Sequence, residues 1–254
     1  MITLKTPEEL QKMREGNRMV TEIMARLLDT VRPGIATSEL DQLAEVLIHR
    51  RNAKPAFKGY RGYPATICAS VNEVVVHGIP NDRVLREGDI LSIDLGLSFE
   101  GYFADIARTV PVGQVSVQAQ RLLEASRKAF FAGFNAAWAH NRVGDISAAV
   151  QGSAESMGYS VVRDFVGHGI GMQMHEEPQV PNFGEPKSGA RLRVGMTLAI
   201  EPMLNIGGFE VQVMDDHWTV VTRDRSLSAH YENTVAVTEN GPEILTMLAG
   251  GELV

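Results

Sequence analysis

The sequence predicts an α+β fold of two similar αβ halves, roughly residues 1–112 and 113–254, fused into one domain with a central cleft. Two observations carry that expectation. The apolar periodicities run helix, helix, strands, and then helix, helix, strands again. Short motifs also recur in the same order. Arg32-Pro33-Gly34-Ile35 and Arg142-Val143-Gly144-Asp145 each precede the second helix of a half, and Val76-His77-Gly78-Ile79 is answered by Gly167-His168-Gly169-Ile170. Arg86-Glu87-Gly88-Asp89 is answered by Arg193-Val194-Gly195-Met196, and Asp105 before Arg108-Thr109-Val110 by Glu232 before Thr234-Val235. Four weak matches in one order point to an internal duplication, and no Gly/Ser-rich linker divides the halves.

The elements follow in order. Thr6-Pro7-Glu8-Glu9 opens the first helix, with Thr6 as N-cap, Pro7 at the first helical position and Glu9 closing a capping box. Apolar residues from Met13 to Leu28 carry it to about Val31, where Pro33-Gly34 stops it. A second helix starts at Thr37 or Ser38 and continues through Leu40, Leu43, Val46 and Leu47. Strands are expected at 65–71, 73–77, 89–97 and 101–112. Residues 115–138 are again helical, and Asp145 or Ser147 caps a further helix ending near Gly158. Strands return at 161–166, 197–206, 209–214, 218–222 and 231–238.

Composition excludes several classes. No apolar run approaches the roughly 20 residues that span a bilayer, and the polar N-terminus lacks a signal pattern. The single cysteine, Cys68, rules out an intrachain disulfide and fits a reducing cytoplasm. A net charge of −7 argues against a specific nucleic-acid ligand. The basic stretch from His49 to Arg61 is the local exception: it fits a solvated helix end and leaves room for a transient ribosome contact. His49, His140 and His217 carry no such signal and are read as ordinary structural histidines.

The informative residues are Asp94, Asp105, His168, Glu201 and Glu232, each set in a run of Val, Ile, Leu or Ala. An uncompensated buried carboxylate costs several kcal/mol, and no Lys or Arg stands at a matching position in these runs. Four carboxylates with one imidazole instead suit divalent cations. A reversal at Ser98-Phe99-Glu100-Gly101 would place Leu97 opposite Tyr102 and Asp94 opposite Asp105. Opposed residues have Cβ atoms about 5 Å apart, close enough to grip two cations about 3.5–4 Å from each other.

Gly62–Pro80, Phe165–Asn182, Ala199–Met203 and His230–Thr234, with the strands around Asp94 and Asp105, resemble the type 1, bacterial-kind methionine aminopeptidases. These belong to the pita-bread metallopeptidases, and the likeness covers essentially the whole chain. The resemblance implies a pita-bread fold with a central antiparallel sheet and outer helices. It implies two divalent cations (cobalt, manganese, iron or zinc), with Asp94 on one, His168 and Glu201 on the other, and Asp105 and Glu232 bridging. Glu201 would shuttle protons, and His77 and His175 would contact substrate without ligating. Tyr60, Tyr63, Cys68 and Trp218 would line the methionine pocket. Met174 stands where relatives often carry an aromatic residue, which alters the pocket wall and leaves the metal chemistry alone.

The implied activity is removal of the deformylated initiator methionine from nascent chains with a small, uncharged second residue, by a cytoplasmic monomer. Two alternatives share the fold: a non-catalytic binding protein, which typically loses ligands, and an Xaa-Pro peptidase, which carries a large N-terminal domain absent here.

Overall fold

A computed structural model describes all residues, 1–254. Helix α1 (Pro7–Leu28) starts with the expected capping box: Thr6 Oγ1 accepts from the Glu9 N–H, and the Glu9 carboxylate accepts from the Thr6 N–H. Its buried face includes Met13, Val20, Ile23, Met24 and Leu27. Helix α2 (Thr37–Arg50) begins at the expected place, but neither Thr37 nor Ser38 caps it. Ala36 is the N-cap, its N–H donates to Glu39, and the Thr37 hydroxyl donates instead to the Asn81 carbonyl.

The first half continues with strands β1 (Lys54–Pro55), β2 (Ile67–Val71), β3 (Val74–Val76), β4 (Ile90–Phe99) and β5 (Tyr102–Pro111). Helices α3 (Val117–Ala136) and α4 (Val143–Ser156) open the second half. Asp145 is not the cap of α4 but its third residue, accepting from the Arg142 N–H, and Ser147 lies inside the helix. Strands β6 (Ser160–Val161), β7 (Gly167–Gly169), β8 (Glu176–Val180), β9 (Thr197–Ile200) and β10 (Met203–Asn205) follow. The last are β11 (Val211–Val213), β12 (Val220–Thr222), β13 (Ser228–His230), β14 (Glu232–Thr238) and β15 (Gly241–Ile244). The strand expected at 161–166 shrinks to two residues. The one expected at 197–206 breaks at Glu201-Pro202, where proline has no N–H to offer a ladder.

The main sheet is antiparallel throughout, in the order β1-β4-β5-β14-β9-β7-β8, with β2 also on β4 and β15 on β14. Alternation divides the two faces of its strands. Leu91, Ile93, Leu95 and Ile106 point to a core shared with α1 and α2, while Leu198, Ile200, Val235 and Val237 enter a second core with α3 and α4. The helices cover that face; the opposite face of the central strands is left for the polar residues described below. No helix is long and apolar enough to cross a membrane.

The β4–β5 hairpin corrects the expected register. Phe99 pairs with Tyr102, so the turn holds only Glu100 and Gly101, both at positive φ (48° and 84°). Positive φ at both central residues is the two-residue turn that matches strand twist. Tightening the loop shifts the pairing by two residues: Asp94 faces Ala107, and Asp105 faces Gly96. An even shift keeps both aspartates on one face but makes them diagonal rather than opposed.

Strand β7 is tightly confined. A Cβ on Gly167 would lie 2.4 Å from the Ala199 carbonyl oxygen, and one on Gly169 2.4 Å from that of Glu177. Both obstacles are backbone and cannot rotate away, so only glycine lets β7 sit between β9 and β8. Gly167→Ala is therefore expected to destabilise the fold by about 1–3 kcal/mol, read as a lowered denaturant midpoint at unchanged slope.

Candidate active site

Pairing register brings the five singled-out residues to one face of the sheet. Asp94, Ala107 and Glu232 form a row across β4, β5 and β14. The β14–β9 ladder matches Asn233 to Ile200, so Glu201, one residue beyond β9, falls in line with Glu232. Asp105 lies two residues from Ala107 and shares its face. His168 and Thr234 both pair with Ala199, two residues from Glu201, which adds His168 to the same face. The residues between the acids are small: Ala107, Gly96 and Ala199 leave the carboxylates room to converge.

One donor atom each from Asp105, His168 and Glu232 lie within 4.8 Å of one another. His168 Nε2 is 3.5 Å from Glu201 Oε1, which ties Glu201 to the group. Asp94 and Asp105 are near enough that each alters the other's titration. Asp94 Oδ1, Asp105 Oδ1 and Glu232 Oε1 are buried without any hydrogen-bond partner. No Lys or Arg forms an ion pair with any of the five. Arg108, in the strand of Asp105, belongs to the other face and gives its guanidinium to the Ala107 and Glu232 carbonyls and to the Asn233 side chain.

The energetic consequence is large. Desolvation raises the Asp94 pKa to about 7. Burial, and then the neighbouring carboxylates, push Asp105, Glu201 and Glu232 well above the carboxylate range. Orphaned buried oxygens with no protein cation to pair them fit one kind of partner, a divalent cation taking hard oxygen and imidazole donors. The residues present therefore fit the metal that the sequence implied.

The histidines are sorted by their second contacts. His168 Nδ1 lies 2.9 Å from the Gly169 carbonyl oxygen. A carbonyl can only accept, so Nδ1 carries the proton and Nε2 presents its lone pair to the carboxylates, the arrangement typical of ligating imidazoles. Burial lowers the His168 pKa to about 4, consistent with a neutral ring. His175 is exposed at the mouth, its Nδ1 2.8 Å from the Tyr60 hydroxyl and its ring centroid 4.3 Å from that of His168. Partial desolvation, then the charge of Arg61, lowers its pKa. His77, at φ 59°, stands edge-on to Phe165 and Trp218, and burial brings its pKa to about 4.

A cleft of about 290 Å³ opens onto this face, and every residue singled out from the sequence borders it. Tyr60, Tyr63, Cys68 and Trp218 form its apolar side with Phe57 and Met174. Tyr63 donates to the Ile67 or Gly78 carbonyl and meets Trp218 edge to face at 5.0 Å, so the wall is rigid. Burial raises the Cys68 thiol well above its usual range, which makes it a small apolar surface and not a nucleophile. The sequence did not single out Phe57, Phe165 or His230. The first two carry no polar signal, and His230 was overshadowed by Glu232, two residues on. A second, more open cavity of about 730 Å³ adjoins at Arg61, Val166, His168 and His175.

Comparison with known proteins agrees with this geometry. The chain matches the profile of metallopeptidase family M24 over residues 11–239. It is 51% identical over 248 residues to a methionine aminopeptidase of Clostridium perfringens, covering 98% of this chain and 100% of the relative. Identity to the Escherichia coli methionine aminopeptidase is 41%, over 97% of this chain and 94% of that one. The crystal structure of methionine aminopeptidase from Rickettsia prowazekii superposes with a TM-score of 0.96 at 40% identity, covering 97% and 100%. An Xaa-Pro dipeptidase from Bacillus anthracis shares the fold at a TM-score of 0.79 and 23% identity, this chain covering 63% of it. A buried carboxylate and imidazole face on a pita-bread fold, with full-length identity of this order, places the chain in metallopeptidase family M24.

Proposed function

We propose that this protein is a methionine aminopeptidase, releasing the deformylated N-terminal methionine from polypeptides with a small, uncharged second residue. The observation that carries the reading is a cleft of about 290 Å³ whose apolar wall of Tyr63, Cys68, Met174 and Trp218 opens directly onto the four carboxylates and His168. Asp94, Asp105, His168, Glu201 and Glu232 would hold two divalent cations (cobalt, manganese, iron or zinc). Bound there, the cations supply Lewis acidity that activates water near neutral pH.

The protein's own groups do the rest. Glu201, the ligand beyond the end of a strand, takes the proton of the attacking water and passes it to the leaving amine. His175 stabilises the carbonyl oxygen as charge develops on it. For that its Nε2 must carry the proton, with Nδ1 then accepting from the Tyr60 hydroxyl, a contact that orients the ring. His77, a neutral imidazole, contacts the scissile amide nitrogen. Tyr63, Cys68 and Trp218 seat the thioether, for which sulfur–aromatic contact is favourable. The remaining polypeptide continues through the adjoining open cavity.

Residues 1–254 act as one catalytic unit, a cytoplasmic monomer working on nascent chains. The basic segment at 49–61 is a solvated helix end and loop in which Arg51 and Lys58 are paired with Glu22 and Glu45, leaving Arg50, Lys54 and Arg61 as the charges open to a transient ribosome contact.

Cation binding tests the site. Calorimetric titration of the metal-stripped protein should show two equivalents bound, with protons released. Affinity should rise with pH through about 7, because cations must displace protons held by carboxyls such as Asp94. The sign for stability is opposite in the stripped protein. Unfolded Asp ionises above 3.8 while folded Asp94 holds its proton to about 7, so stability falls as pH rises between those values. Asp105→Ala and Glu232→Ala should each abolish binding of the pair; unchanged stoichiometry in both would remove the proposed site.

Peptide assays test the substrate. Met-Ala and Met-Gly peptides should release methionine, with little turnover of Met-Leu or formyl-Met-Ala peptides. Comparable cleavage of Xaa-Pro dipeptides would move the protein to that branch of the fold.

His175→Ala separates substrate handling from cation binding. It should retain both cations yet lower kcat by about 10²-fold or more, whereas His168→Ala should weaken cation binding as well.

A further inference from the structure

His230 is a buried histidine for which the reaction above has no use. It ends β13 opposite Met203 and is 2% exposed. Its backbone is pinned: the N–H donates to Thr109 Oγ1 at 2.8 Å, and the carbonyl accepts from the same hydroxyl at 2.9 Å. Thr109 Oγ1 in turn lies 2.6 Å from Ser92 Oγ. The side chain is therefore aimed by its backbone, and its Nε2 is buried without a hydrogen-bond partner.

That nitrogen lies 3.6 Å from Glu201 Oε2 and 3.9 Å from Glu232 Oε2. Glu201 thus stands between two imidazoles, Oε1 toward His168 and Oε2 toward His230. The 3.6 Å separation exceeds a good N–H···O distance by about half an ångström, within reach of a small carboxylate rotation. Its contacts in this neighbourhood are with the carboxylates of Glu201 and Glu232, which places it beside them. A buried imidazole nitrogen without a partner beside a carboxylate oxygen is the kind of pair that orients a metal-binding carboxylate in other sites.

We propose that His230 is a positioning residue for the cation site, donating Nε2–H to Glu201 Oε2 so that Oε1 stays directed toward His168 and the cation. The inference rests on the cation-binding reading above. It adds a second constraint on Glu201, which no strand ladder holds because Pro202 follows it. A carboxylate that must both bind a cation and move a proton then keeps one oxygen occupied and the other available.

The test compares His230→Leu, which removes the donor, with His230→Gln, which keeps a side-chain N–H. Calorimetry with Mn²⁺ and the visible absorption of Co²⁺-loaded protein read the site without turnover. His230→Leu should weaken one of the two cations about 10–100-fold and shift the cobalt bands, and His230→Gln should stay close to wild type. Placed in a Glu201→Gln background, His230→Leu should have no further effect on affinity. Unaltered affinity and spectrum in His230→Leu would overturn the proposal. Equal loss of a bound equivalent in both His230 variants would overturn it too, by making His230 a ligand. Wild-type protein adds a measurement independent of how the variants fold: imidazole ¹⁵N shifts of the Zn²⁺-loaded enzyme should show His230 protonated at Nε2, and a bare Nε2 refutes the role. Failure of wild type to bind any cation would overturn both this inference and the reading beneath it.

Discussion

Four carboxylates gathered on one buried sheet face, with no lysine or arginine to pair them, constrain everything around them. Each carboxylate raises the pKa of its neighbours, and burial raises them all. Such a cluster persists only if the surrounding structure is stable enough to hold it and if protons or cations neutralise it. The first condition is met by the opposite face of the same strands, where Leu91, Ile93, Leu95 and Ile106 pack against α1 and α2, and Leu198, Val235 and Val237 pack under α3 and α4. Strand alternation thus builds scaffold and site from neighbouring residues.

Small residues complete that arrangement. Ala107 separates Asp94 from Glu232, Gly96 faces Asp105, and Ala199 faces His168. Larger side chains at these positions would fill the space where the donors meet; at Gly96 a Cβ would also lie 2.7 Å from Phe57 Cε1. Gly167 and Gly169 serve the same end by letting β7 approach its neighbours closely enough to deliver His168.

The imidazoles show how second contacts assign roles to one residue type. A carbonyl at Nδ1 turns His168 into a lone-pair donor, a tyrosine hydroxyl at Nδ1 orients His175, and flanking aromatic rings hold His77. Lys5 reinforces the segment that carries His175: its ammonium is 2.6 Å from the Glu176 carboxylate, with both side chains nearly buried. The N-terminal segment is thereby tied to the mouth of the cleft.

Much of this was legible in the sequence. Polar groups inside apolar runs singled out the five residues that strand pairing gathers on one face, because an uncompensated buried charge is costly enough to be informative by itself. The capping box fixed the start of α1, since Thr6, Pro7 and Glu9 act within one helical turn. Features set by pairing between elements do not show in local pattern. The hairpin register turned on whether the loop held four residues or two, which strand twist decided through Glu100 and Gly101 at positive φ. The caps of α2 and α4 went to Ala36 and Arg142 because Asn81 claimed the Thr37 hydroxyl and Asp145 reached back from the third position. His230, Phe57 and Phe165 gained their places only when β13, the loop before the turn at Tyr60–Gly62 and the segment before β7 folded around the cleft. The sequence by itself determined which groups had to be compensated; only the tertiary structure decided which faces which, because that is set by strand pairing, including a β5–β14 ladder between segments more than a hundred residues apart.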